Sequence, residues 1–114
     1  MTTETQAIAE FILARIADTI ADARQVQAAA VSRGQSPNDP SEPKLRLARQ
    51  VIADCAAKRA IVEEYTGEVR RGPAGQRDDL VARHGGVIDA YGVAIRFLVA
   101  PYADHPEYRS EWAP

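Results

Sequence analysis

The residues best suited to chemistry in this 114-residue chain are two histidines, one cysteine and one acid–base pair on a helical repeat. Asp54 and Lys58 stand four apart in acid-first order, the favourable arrangement along a helix. Projected on a helix, both fall in an apolar arc. A partly buried pair there would be a catalytic acid or base, or a register-setting ion pair. With no second catalytic group beside it in sequence, the structural pair is the expectation. His84 lies at the centre of another apolar stripe. A metal-ligating histidine wants a further ligand three or four residues on, and Val87 and Ile88 stand there instead. A core histidine bonded to a carbonyl or to Tyr65 is expected. His105 sits in Asp104-His-Pro-Glu107. Those polar groups would suit a cation, but helix capping accounts for each of them.

Cys55 falls on an apolar arc beside Ile52 and Val62 and reads as an inert core residue. As the only cysteine it forms no internal disulfide, which fits a reducing cytoplasm. Gly72-Pro-Ala-Gly75 lacks the lysine and serine of a phosphate loop. Arg70, Arg71 and Arg77 around it are expected to hold carbonyls at a helix C-terminus. A net charge of -2 and a pI near 5.6 argue against nucleic acid and anionic lipid as partners. The first residues lack the basic region of a signal peptide, and no apolar run is long enough for a membrane span. No catalytic residue, cofactor or metal is therefore expected.

Three segments with the helical period must position these residues, within one domain spanning 1–114. The first covers 3–33, with Thr3 and Gln6 as a capping box and Gly34 to end it. Ile8, Ile12, Leu13, Ile16, Ile20, Val26 and Val31 share about 140° of its circumference. Residues 34–43 hold three prolines and form a loop. The second helix covers 42–71. Its apolar residues, from Leu45 and Ala48 through Ile61 to Val69, span roughly 200°, as if touched from two sides. The third covers 78–100 and runs through Gly85 and Gly86. Gly85 and Gly92 edge its stripe, where a neighbouring helix would approach closely. A short helix over 105–112 then places Tyr108 and Trp112 on one face. The prediction is an all-α, antiparallel three-helix bundle with a C-terminal hook.

Three stretches resemble a family of small helical proteins from actinobacteria and their phages, classed as a domain of unknown function. They are Phe11-Ile-Leu-Ala-Arg-Ile-Ala17, Arg49 to Val62 around Ala57-Lys-Arg-Ala-Ile-Val62, and Pro101-Tyr-Ala-Asp-His-Pro-Glu-Tyr108 with Glu111-Trp112. Members often carry an aromatic segment and a variable insert after the first helix; the proline loop replaces both here. The resemblance implies a bacterial or phage setting and a helical fold, and transfers no activity to any residue.

The tail from Pro101 holds three of the seven aromatics, Tyr102, Tyr108 and Trp112, a density that marks a segment docked on the domain. Phe11 lies outside the first helix's stripe, and Val93 and Phe97 lie opposite the third's. Apolar residues on a second face ask for a second cover. The tail is sized for one such face. The remainder points to a partner, either a second copy forming a homodimer or a host or phage protein. An interaction module without catalytic chemistry is the expectation. A small enzyme or metal protein using Asp54, His84 or His105, and a virion subunit, are the alternatives.

Overall fold

A computed structural model of the chain describes residues 3–114, with the side chain of Thr3 outside the described set. Three α-helices carry it: α1 (Thr3–Ser32), α2 (Pro43–Arg71) and α3 (Asp78–Val99). Short 3-10 turns at Ala100–Tyr102 and Ser110–Trp112 follow. No strand occurs among the described residues. The fold is all-α.

The helix ends follow from local chemistry. α1 closes in a Schellman motif: Gly34 adopts φ +79°, its N–H donates to Val31 O at 2.9 Å, and Gln35 N–H donates to Ala30 O at 2.9 Å. α2 opens on Pro43, whose missing N–H is no loss in a first turn. Just before it, Asp39 Oδ1 accepts Ser41 N–H at 2.9 Å and Ser41 Oγ–H at 2.7 Å. α2 ends at Gly72, at φ +72°, whose N–H donates to Glu68 O at 3.1 Å. α3 runs unbroken through His84, Gly85 and Gly86, as its constant stripe implied. The capping box rests on Thr3, whose side chain lies outside the described residues; Gln6 Nε2 donates to Glu10 at 3.0 Å.

The chain divides into two compact units. One is Ala14–Arg59, a helical hairpin in which Ile16, Ala23, Ala30, Leu45, Ala48 and Cys55 are buried. Ala23 and Ala30 line this seam, while Val26 and Val31, expected in it, are exposed. Small residues let helix backbones approach; the valines then lie beyond the contact. The buried residues of α2 are likewise fewer than its wide arc predicted. Leu45, Ala48 and Cys55 are buried in this unit and Val62 and Tyr65 in the other, while Val51, Ile52 and Val69 are half-buried and Ile61 is exposed.

The other unit joins the residues up to Leu13 with Ala60–Pro114. Its core is Ile8, Phe11, Ile12, Val62, Tyr65, Ile95, Val99 and Trp112. Each large aliphatic among them contributes about 1.5–3 kcal/mol of burial. Tyr65 Oη and Thr5 Oγ1, both buried, share a hydrogen bond of 3.2 Å. In this unit α2 and α3 are antiparallel: Tyr65 lies beside Tyr91, ring centroids 6.4 Å apart, and Glu68 lies opposite His84. A Cβ on Gly92 would meet Tyr65 Oη at 3.9 Å, an ordinary contact, whereas one on Gly85 would meet nothing. The close approach predicted at Gly85 does not occur among the described residues.

Candidate functional site

The tail is docked, but not as the helix expected over 105–112. Its N–H groups make single i→i+3 turns: His105 to Tyr102 O at 2.9 Å, Tyr108 to His105 O at 3.0 Å and Trp112 to Arg109 O at 3.0 Å. Pro106 has no N–H to give and biases His105 away from helical backbone. Turns of this kind put residues about three apart on one side. The side they present is aromatic, and it closes on Phe11. The Phe11 ring lies 6.2 Å from Tyr102, 5.3 Å from His105, 6.4 Å from Tyr108 and 5.1 Å from Trp112, between centroids. Arg109 lies over the Trp112 ring at 5.5 Å. Arg96 ties the tail down from α3, donating Nη1 to Glu111 O at 2.6 Å and Nη2 to Glu4 at 2.9 Å.

Phe11 is therefore not an outward interaction residue. It is 6% exposed, and the cover it asked for is the tail. Tyr102 and Tyr108 are half-buried and Trp112 is 2% exposed, as docking requires. His105 is part of the same cluster. Its Nδ1 accepts Glu107 N–H at 3.1 Å, which closes a turn.

Val93 and Phe97 behave differently: they are 57% and 62% exposed, one helical turn apart on α3. At 100° per residue, Ala82, Gly86 and Ala90 join them on one outward strip, flanked by Arg83 and Asp89. All of these residues are exposed. Among the described residues nothing lies within 4 Å of a Cβ added to Gly85 or Gly86.

A third feature is an open cavity of about 400 Å³ where α2 gives way to α3. Pro73, Ala74, Leu80 and Val87 form its apolar wall, and Glu68, Arg71, Arg83 and His84 its polar one. Glu68 Oε2 is 3.6 Å from His84 Nδ1, while Glu68 Oε1 accepts Arg71 Nη2 at 3.1 Å. The same Arg71 nitrogen donates to Glu64 at 3.2 Å. These carboxylates, Glu68 first, raise the Arg71 pKa. Nearby, Arg77 grips Asp79 through Nε at 3.0 Å and Nη2 at 2.7 Å, which lowers the Asp79 carboxyl. A fourth feature is a groove of about 360 Å³ floored by Ala9, Leu13 and Val69 between Glu10 and Arg70.

Several expected partners differ. His84 meets Glu68 and not Tyr65, whose hydroxyl is engaged by Thr5. Arg71 and Arg77 bind the carboxylates of Glu64, Glu68 and Asp79, where helix-end carbonyls were expected. Asp54 is exposed and Lys58 half-buried, and among the described residues they form no ion pair. The seam of α2 is too narrow to enclose Asp54. Cys55 is buried, as its arc position implied. Glu68 and Arg83 were not singled out in the sequence, since their roles depend on which residue of α3 faces α2.

Among the described residues no three His, Cys, Asp or Glu side chains come together as a metal-holding group. Nor is any described helix long and apolar enough to cross a membrane. A family match covers residues 5–114, nearly the whole chain. The chain belongs to DUF6221, a family of unknown function. No curated protein and no solved structure matches it. Membership agrees with the resemblance to a family of unknown function, and it assigns no activity to the features described above.

Proposed function

We propose that this protein is a non-enzymatic helical interaction module that self-associates through the outward face of α3. The observation that carries the reading is the exposed pair Val93 and Phe97 in line with Gly86. A glycine inside a helix costs about 1 kcal/mol relative to alanine. Gly85 and Gly86 touch nothing that would explain their absent side chains. A second helix backbone crossing there supplies the reason. A second copy is the occupant argued for, because a two-fold crossing brings one position against itself and so needs a small residue on both sides. An antiparallel crossing centred on Gly86 sets Ala82 against Ala90. Phe97, about 16 Å along the axis, then lies beyond the first turn of the second copy's α3. The charges are mixed in sign (Asp79 on the strip, Arg83 and Asp89 beside it), which suits self-association better than a strongly charged partner.

Sedimentation velocity across a concentration series tests this. The expected result is a dimer that Phe97→Glu dissociates. A monomer at every concentration overturns the homodimer, and a host or phage protein would then be the partner to seek. Large particles would instead favour the virion subunit. The resemblance in the tail motif supports an actinobacterial or phage origin, and the single buried cysteine a cytoplasmic setting.

One observation favours a second reading, a small enzyme acting through His84. A carboxylate 3.6 Å from a histidine nitrogen, in an open cavity, resembles the arrangement that orients an imidazole. Asp54 and His105 lend it no support, since the first is exposed and the second is enclosed with Phe11.

A further inference from the structure

We propose that the cavity at the α2–α3 turn binds a small organic carboxylate carrying a short apolar chain. The proposal does not depend on self-association through α3. Volume comes first: about 400 Å³ lies in the range of small-molecule sites. The decisive feature is the pattern of committed and uncommitted charge around it.

Arg71 is shared between Glu64 and Glu68, at 3.2 and 3.1 Å. Asp79 is the natural helical partner of Arg83, four residues before it. Arg77 holds Asp79 through both of its oxygens instead. Arg83 thus lines the cavity with no ion pair or hydrogen bond among the described residues. A guanidinium left free beside a concavity presents a planar fork of donors that matches a carboxylate bidentately. The apolar part of the lining, Pro73, Ala74 and Leu80, offers no hydrogen-bonding side chain and fits a short hydrocarbon. Glu68 does not repel the anion outright, because Arg71 already binds it. It does disfavour a ligand of higher negative charge, which selects monocarboxylates over phosphates.

The probe is hexanoate, titrated into the isotope-labelled full-length chain and followed by amide shifts. Acetate, hexanamide and inorganic phosphate serve as comparisons. Saturable shifts are expected at Gly72, Ala74 and residues 80–87, with a dissociation constant in the millimolar range suited to so small a ligand. Arg83→Gln should weaken hexanoate about tenfold, the loss of one charge-assisted contact. Arg70→Gln, the same charge change in the other groove, should leave it unaltered. Hexanamide should bind about tenfold more weakly for want of the charge, and acetate and phosphate for want of the chain. Arg83 is exposed, so its variant keeps the fold and unchanged amide spectra will verify that. Absence of saturable shifts, equal binding by acetate or phosphate, or indifference to Arg83→Gln would each overturn the proposal.

Discussion

Replacing Trp112 by alanine tests whether the tail is part of the core. The indole is 2% exposed and packs on Phe11 at 5.1 Å and Tyr108 at 5.7 Å between centroids. Truncating a buried tryptophan costs about 3–5 kcal/mol when the cavity stays open. Part of that is returned here. Trp112 Nε1 is buried without a hydrogen-bond partner among the described residues, and removing such a donor recovers about 1–2 kcal/mol of desolvation. The net expectation is a loss of about 2–3 kcal/mol. Trp112→Phe separates the two effects: it keeps much of the ring contact and deletes the orphaned N–H, so it should change stability by less than about 1 kcal/mol. Urea unfolding followed by far-ultraviolet circular dichroism measures both, since it does not depend on the indole as reporter. With a slope of about 1–2 kcal/mol per molar, the alanine variant should shift the midpoint by more than about 1 M. Truncation at Pro101 should do at least as much damage. A Trp112→Ala change below about 0.5 kcal/mol would refute the docked tail.

Three further outcomes follow. Gly86→Ala should stabilise the isolated chain by about 0.5–1 kcal/mol, because its Cβ meets nothing, while weakening self-association about tenfold; thermal unfolding and sedimentation velocity read the two effects separately. Carboxyl NMR titration should place the midpoints of Asp39 and Asp79 below the usual value of about 3.9, held down by Ser41 and Arg77 respectively. Both folded-state values are depressed, so the contribution is present above that unfolded value and is lost as pH falls through the folded midpoints. Ser41→Ala should raise Asp39 alone, and Arg77→Gln should raise Asp79 alone.

Most of the fold was legible because its signals are local. Gly34 and Gly72 mark helix ends by their left-handed backbone, and Pro43 marks a first turn. Phe11 stood off the stripe of its helix and so asked for a cover, and the aromatic tail is that cover. What it could not reveal was that one ring, Phe11, would organise four side chains of the tail, because the tail's turns adapt to that ring and are not set by helical period. The alanines were also misleading. Ala23 and Ala30 are buried where Val26 and Val31 were expected, since close backbone approach favours the smaller residue at the seam. Contacts such as Glu68 with His84 and Arg96 with Glu4 were out of reach for a different reason. They depend on the register between helices, which no short motif encodes.

That register also links the two faces of α3. Arg96 holds both the tail, through the carbonyl of Glu111, and the start of α1, through Glu4. The next residue, about 100° around the helix, is Phe97, which faces solvent. Val99, fully buried, follows two residues later and seats the helix end in the core. The last turn of α3 is thus fixed from within by Ile95, Val99 and the Arg96 clamp, and this fixation is what gives the exposed Phe97 a defined position. An exposed aromatic on a frayed helix end would lose conformational freedom on every association. One on a turn fastened by the tail has already lost it. The tail can therefore serve an outward surface that it does not touch, by holding rigid the helix end that presents it.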